Sequence, residues 1–323
     1  MTLPAATGNA PAARPGGETY RLDRLRLRHL RLLEFVARLG SLGNAARALG
    51  VSQPACTLLL RELEGMFGAR LVARESKGGR LTPAGRLALE RLTIALAAVD
   101  RAAEAARTPA LAPLLRVGAI QVVGTTLLPA VLARLARSHN SMRIALREGR
   151  AVELMASLVR GELDCVIGWM DAGVLDTVPV GRLAVRPVRY GRMQVVAAHS
   201  HPLARRRLAS VEPLLQWPWV VPPPGSRTHT AFRRLFLQHG VPPPPVTVEC
   251  AALHTTLHIV AATNHLAVAP DAAVRAYAAR GTVAALKGPV LDVGEDPISI
   301  ATHRDSEALA AVREFRDAVT AVA

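Results

Sequence analysis

The sequence predicts a multi-domain α+β chain: a helical N-terminal third, one long helix, and an α/β C-terminal part. Three observations lead there. At 323 residues the chain exceeds one average domain. Up to about residue 107 its apolar residues recur at helical spacing. Beyond Pro113 short β runs alternate with helical stretches, which indicates an α/β architecture with a largely parallel sheet. Half of the residues are hydrophobic, which excludes a wholly disordered chain, and no apolar run approaches the roughly 18 residues that span a bilayer.

Met1 to Tyr20 is rich in Ala, Pro and Gly and has neither a basic n-region nor an apolar h-region. Residues 1–24 therefore read as a flexible tail and not as an export signal. Cys56, Cys165 and Cys250 lie far apart without a C-x-x-C pair, which argues against a disulfide framework and a cysteine-rich zinc site. The expected compartment is the cytoplasm. Of the formal net charge of +15, residues 1–112 carry more than half, with 17 Lys and Arg against 9 Asp and Glu. Such a balance favours polyanions, nucleic acid above all.

From Leu27 to Leu39, the residues Leu32, Phe35, Val36 and Leu39 form one apolar stripe of a helix that ends at Gly40. Ser41 can cap a short second helix, Asn44 to Leu49, which buries Ala45, Ala46 and Leu49. Gly50 supplies a positive-φ turn, Val51 drops into the core, and Ser52 caps a third helix with Pro54 in its first turn, running to about Phe67. Two helices joined by a tight glycine turn, the second opened by polar residues, form the helix-turn-helix pattern that places a helix in the major groove. Ser52, Gln53 and Thr57 at its start offer short donors and acceptors to phosphates and base edges, and Arg47 can hold the backbone. Next come Arg70, Arg74, Lys77 and Arg80 around Gly78-Gly79, read as a hairpin with a basic tip. Thr82 as N-cap and Pro83 at the first helical position open a helix to about Arg107. Its stripe Leu92, Leu96, Val99 and Ala103 reads as a dimer seam, or more simply as packing on its own domain.

The run Phe35-Val36, Gly40-Ser41-Leu42, Ala45-Ala46, Leu49, Ser52-Gln53-Pro54-Ala55, Leu63-Glu64, Gly68, Leu71, Arg74 and Leu81-Thr82-Pro83-Ala84-Gly85 resembles the N-terminal domain of LysR-type transcriptional regulators. So many fixed spacings over about sixty residues are far more specific than one short motif. The resemblance implies a winged helix-turn-helix at residues 25–83, with the basic hairpin around Lys77 as wing, and a linker helix at 84–112 that dimerises. The DNA-binding set is then Ser41, Arg47, Ser52, Gln53, Pro54, Thr57, Leu58, Arg61, Arg74, Lys77 and Arg80. Three departures stand out: Leu58 and Leu59 where the family usually has basic or amide residues facing the groove, Cys56 for a small aliphatic, and Val72 for Phe. Leucine cannot hydrogen-bond a base edge, although it can touch a thymine methyl.

In the C-terminal part the expected strands are Leu115 to Ala119, Arg143 to Glu148, Asp164 to Gly168, Gln194 to Ala198, Trp219 to Val221, Val246 to Glu249, Leu266 to Ala269 and Ile298 to Ala301. Helices are expected at Thr125 to Ser138, Ala151 to Arg160 and Ser306 to Val322. This order resembles the same family's effector domain, 113–323. It implies two Rossmann-like lobes hinged like a periplasmic binding protein: lobe I about 113–182 and 288–323, lobe II about 183–287. Helix N-termini and strand ends converge between such lobes, a setting suited to an anion. On that logic the effector-binding residues are Gln121, Thr125, Thr126, Trp169, Ser226, Arg227, Thr228 and Ala251, with Arg227 able to pair bidentately with a carboxylate. For the threonines, simple helix capping is the alternative.

His254 and His258 share a helical spacing but have no third ligand in view, so no metal is expected. No nucleophile elbow, phosphate-binding glycine loop or dinucleotide fingerprint appears, and neither a cofactor nor a catalytic residue is assigned. The expected function is a homodimeric or homotetrameric regulator that binds double-stranded DNA, answers to a small-molecule effector such as an organic anion, and makes no membrane contact. The alternatives are a protein-interaction module with a degenerate DNA-reading head, motivated by Leu58 and Leu59, and an enzyme on the α/β half.

Overall fold

The computed structural model describes residues 22–75, 78–107, 112–137 and 142–323. They fall into two compact units that separate after Arg107. In the first, α1 (Leu27–Leu39), α2 (Leu42–Leu49) and α3 (Gln53–Phe67) end at Gly40, Gly50 and Gly68 in turn. Each of these glycines has φ between 65° and 70°, the left-handed conformation that a Cβ disfavours. Ser41 Oγ accepts from Asn44 N at 3.1 Å, so α2 begins at Leu42, two residues before the expected start. The buried stripe of α1 is His29, Leu30, Leu32, Leu33 and Val36. The expected stripe is thus rotated, and Leu39 stays exposed where the chain turns out at Gly40. Buried His29 accepts from Arg26 N at Nδ1 and meets Glu62 of α3 through Nε2 at 3.1 Å, which ties two helices together.

β1 (Val72–Glu75) and β2 (Gly78–Leu81) pair antiparallel, Val72 opposite Leu81 and Glu75 opposite Gly78. From Thr82, whose Oγ1 accepts from Gly85 N at 2.9 Å, α4 runs Pro83–Arg107. Its expected seam divides. Leu92 and Leu96 are buried in this unit's own core against α1, whereas Val99 and Ala103 are exposed. The simpler packing reading therefore holds for the first half of the stripe.

The second unit has one nine-stranded sheet in the order β4-β3-β5-β11-β6-β9-β7-β8, with β10 added on β6. Its elements are β3 (Leu114–Ala119), α5 (Gln121–Thr126), α6 (Leu128–Arg137), β4 (Arg143–Glu148), α7 (Ala151–Val159), β5 (Cys165–Trp169) and α8 (Ala172–Leu175). There follow β6 (Leu183–Ala198), β7 (Trp219–Val221), α9 (Arg227–Leu237), β8 (Val248–Glu249), α10 (Leu253–Ala262), β9 (Leu266–Pro270) and α11 (Asp271–Ala278). β10 (Val283–Ala285), β11 (Glu295–His303) and α12 (Ala310–Val322) complete the unit.

The largely parallel sheet is corrected to a mixed one. β3 pairs parallel with β4 and β5, and β7 with β8 and β9, whereas β11 runs antiparallel to both β5 and β6, and β6 antiparallel to β9. The expected short strand at Gln194 is the end of the 16-residue β6, whose first part pairs with β11 and whose last part pairs with β9 and β10. β6 thus passes through both halves of the sheet. Two further elements are shorter than expected: Pro242 to Pro245 delay β8 to Val248, and a 3-10 turn at Arg304–Ser306 delays α12 to Ala310. The expected helix from Thr125 is two helices that meet at Leu127, because Pro129 is tolerated only in a first turn.

Candidate functional site

Two surfaces gather the expected residues. On α3, Cys56, Leu59, Leu60 and Leu63 are buried, which leaves Gln53, Pro54, Leu58 and Arg61 on the exposed face with Thr57 at its edge. Of the two leucines expected to face outward, Leu59 is 8% exposed and belongs to the core, while Leu58 is 58% exposed. The 3.6-residue period puts Leu59 with Cys56 and Leu63, so one apolar side chain and not two stands on the reading face. Ser52 Oγ accepts from Ala55 N, and no acidic residue occupies the first turn of α3, which keeps that positive helix end favourable to phosphate. Arg47 is exposed on α2 and donates to Asn44 Oδ1. Arg80 is exposed on β2, Ser41 is taken up as the α2 cap, Arg74 lies on β1 opposite Gly79, and Lys77 lies outside the described residues.

Glu64, which the sequence showed only as part of the family-like run and to which no role was assigned, is a positioning residue. Its Oε1 accepts from Leu71 N at 2.8 Å and Val72 N at 3.1 Å, fastening the entry of β1 to the last turn of α3. Gly79 N donates to Gly40 O at 3.1 Å and holds β2 to the end of α1. A Glu at a helix end followed by a two-strand hairpin was the available signal. Glu64→Ala leaves two backbone N–H groups without an acceptor at the buried residues Leu71 and Val72, at about 1–3 kcal/mol for each buried group. The expected result is a lower melting temperature of the first unit and weaker duplex binding, with Glu64→Gln intermediate because its carbonyl oxygen still accepts.

The second surface is a cleft of about 710 Å³. Gln121, Trp169, Ser226, Arg227, Thr228 and Ala251 line it, together with Arg150 and Asp171, which the sequence reading missed. Arg150 follows β4 and precedes α7, the same strand-end position that nominated Trp169. The expected Thr125 and Thr126 do not line the cleft. Thr125 Oγ1 turns back onto the Gln121 and Val122 carbonyls, and Thr126 Oγ1 donates to Val122 O at 2.6 Å. Thr125 is spent on its own helix, and Thr126 bonds its own helix and accepts from Arg189 Nη2; each hydroxyl donates back to a carbonyl and caps no helix start, so neither the cleft reading nor the capping alternative holds.

The cleft's side chains reach across it. Gln121 Oε1 accepts from Leu253 N at 2.9 Å, and Arg150 Nη2 donates to Gly225 O at 3.0 Å. Arg227, at the start of α9, lies 5.4 Å above the Trp169 ring and pairs with Asp296. Burial lowers its pKa from the ordinary value, Asp171 opposes that, and Arg234 adds to it. Arg227 Nε has no acceptor among the described residues. The N-terminal turn of α7 carries no side-chain cap and opens beside the cleft-lining Arg150, with Glu153 in that turn, whereas the first N–H of α10, on Leu253, is already taken by Gln121. Walls from Ile120, Val152, Val174 and Pro270 are apolar. Such a pocket suits a small molecule with one anionic group and an apolar body.

His254 Nδ1 meets Tyr277 Oη at 2.7 Å, and among the described residues no group of three or more His, Cys, Asp or Glu could hold a metal. Cys56 and Cys165 are buried, and burial pushes both thiols up from the ordinary value. Among the described residues no helix is long and apolar enough to cross a membrane.

Comparison with known proteins bears on both surfaces. Residues 27–86 match the family model for the bacterial regulatory helix-turn-helix protein of the lysR family, and residues 110–323 match the LysR substrate binding domain. The chain is 30% identical over 286 residues to the uncharacterised HTH-type transcriptional regulator YdcI of Escherichia coli (strain K12), covering 88% of this chain and 91% of that one. It is 26% identical over 290 residues to the HTH-type transcriptional regulator PcaQ of Agrobacterium fabrum, covering 88% and 91%. A full-length OxyR variant from Pseudomonas aeruginosa shares the fold, with a TM-score of 0.59 at 24% identity over 92% of this chain and 95% of that one.

Proposed function

The chain belongs to the LysR-type transcriptional regulators, and from that premise we propose which residues do the work and what class of effector they take. It is a DNA-binding transcriptional regulator with an effector-binding C-terminal domain, and it works as an oligomer. Gln53, Thr57 and Leu58 read base edges, while Ser52, Pro54, Arg61, Arg47, Arg74, Lys77 and Arg80 grip phosphates or hold the register. The alternative of a degenerate reading head loses its motive, since Leu59 is buried and Leu58 alone remains to meet a thymine methyl.

Because Leu92 and Leu96 are used inside the unit, the dimer seam falls on the exposed stripe of α4: Leu87, Ala95, Ala98, Val99 and Ala102. Leu87, Ala95, Ala98 and Ala102 follow the 3.6-residue period on a face turned away from Leu96, while Val99 continues the Leu92 and Leu96 row where it leaves the core; Leu87 is 64% exposed. A two-fold pair built there presents two recognition helices to half-sites a helical turn apart. The protein regulates and does not catalyse, and its working compartment is the cytoplasm, with the DNA it reads.

The effector is a small carboxylate. The observation that carries this is Arg227, a cation largely withdrawn from water above the Trp169 ring and paired through Nη2 with Asp296, with an Nε that lacks an acceptor among the described residues. A carboxylate bound there gains a charge-assisted hydrogen bond, roughly twice as strong as a neutral one. The test is a melting-temperature screen of the full chain with small aliphatic and aromatic carboxylates, each paired with its primary amide. Acids, and not amides, raise the transition of the C-terminal unit, and Arg227→Gln removes the rise. An acid that does so also changes duplex affinity, and by linkage duplex changes the acid's affinity by the same factor. Equal response to acids and amides would contradict the assignment.

A further inference from the structure

A second, smaller cavity of about 40 Å³ lies behind the effector cleft. Val122, Trp169 and Pro270 line both spaces, so they form a shared wall. Trp169 is 8% exposed, and its indole Nε1 is buried with no acceptor among the described residues. That edge lies beside the small cavity: a Cβ placed on Gly191, which lines this cavity, would sit 3.5 Å from Nε1 and 3.3 Å from Ile298 Cδ1. Glycine at 191 thus keeps open the space in front of an unpaired donor.

The charges around this space are unequal. Arg189 and Arg275 line it with one carboxylate, Asp271, and that carboxylate is already paired with Arg275. Arg189 Nη2 donates to Thr126 Oγ1 at 3.0 Å, which gives Thr126 a role away from the cleft where the sequence had placed it. Burial lowers the Arg189 pKa, Asp271 opposes this, and Arg275 adds to it by repulsion. Donors therefore outnumber acceptors, and the lining carries a net positive charge.

We propose that this cavity is a binding site for one small inorganic anion of halide size, which accepts from the Trp169 indole N–H and faces the Arg189 guanidinium. The space suits the size: one water needs roughly 10–15 Å³ on this scale, so a monatomic anion enters and a carboxylate with an organic body does not. Strand β6 supplies Arg189 and Gly191, α11 supplies Asp271 and Arg275, and β5 supplies Trp169. A bound anion joins these three elements and fixes the ring on which Arg227 lies. Occupancy of the small site thereby sets the wall of the effector cleft.

The test is bromide titration of the full-length protein, with bromide replacing methanesulfonate, which is no carboxylate, at constant ionic strength, followed by tryptophan fluorescence. The chain has three tryptophans, Trp169, Trp217 and Trp219. Wild type is expected to show a saturable quench on top of the linear collisional one. Gly191→Ala removes the saturable part, Arg189→Gln moves its midpoint at least tenfold higher, and Trp217→Phe leaves it in place. A strictly linear response of the wild type overturns the proposal, and so does a saturable part that survives in folded Gly191→Ala. Where Gly191→Ala fails to melt cooperatively, the Arg189→Gln midpoint decides, and an unchanged midpoint overturns it.

Discussion

Gly85→Ala abolishes duplex binding while leaving the C-terminal unit's melting transition where it was. Gly85 is the third residue of α4, and a Cβ there would overlap Leu71 O and stand 2.9 Å from the Leu71 carbonyl carbon. Neither side can retreat. Leu71 O accepts from Thr82 N at 2.9 Å, Leu71 N is fastened to Glu64, and Thr82 caps the helix through Gly85 N. Forcing one methyl into a packed contact costs about 1–3 kcal/mol even where side chains can yield, and here the obstacle is backbone. In a unit of this size each kcal/mol lowers the melting temperature by roughly 4–8 °C. Calorimetry of the full chain should show the first unit's transition falling and the second's unmoved. Unchanged transitions with full duplex affinity would mean that the junction of wing and α4 is not built as described.

The second large effect separates reading from gripping. Gln53, exposed at the first position of α3, has the amide that pairs bidentately with adenine, a contact worth about 1–3 kcal/mol of discrimination. Gln53→Ala is therefore expected to cost roughly 5- to 150-fold for each half-site of the native duplex and little on a scrambled one. Arg47→Ala should weaken both duplexes alike and reduce the salt slope by about 2, one phosphate contact being lost from each subunit of the pair. Anisotropy on the two duplexes distinguishes these outcomes. If both substitutions act equally on both duplexes, Gln53 is a phosphate ligand and the reading face lies elsewhere.

Much of this was legible because the local rules act within a few residues. The Ser41 and Ser52 caps, the three turn glycines and the Thr82-Pro83 helix start each depend on nearest neighbours, and each marks its element in the structure. What was misread depended on which face of an element meets a partner far away in the chain. Leu59 and Leu92 turn inward because α1 lies against them, and spacing alone does not reveal that. The same holds for β6. Its sixteen residues include Pro187 and a row of arginines, which look unlike a strand until the antiparallel partner β11, about a hundred residues later, accounts for them. In the cleft, strand-end logic found the residues that open helices and missed Arg150, which obeys the same rule. It also assigned Thr125 and Thr126 to the cleft, since sequence does not show that a hydroxyl has turned back onto its own helix.

The central claim is that α3 and the wing form a sequence-reading, phosphate-gripping surface of an oligomer. It is tested most directly by anisotropy of the full-length protein with duplex from upstream of its own gene, and with scrambled duplex, over a salt series. For a pair of subunits making 6–10 phosphate contacts, affinity should fall by about 10³–10⁵ between 50 and 200 mM salt, with the native duplex preferred throughout. Weak binding that ignores both sequence and salt would contradict the claim.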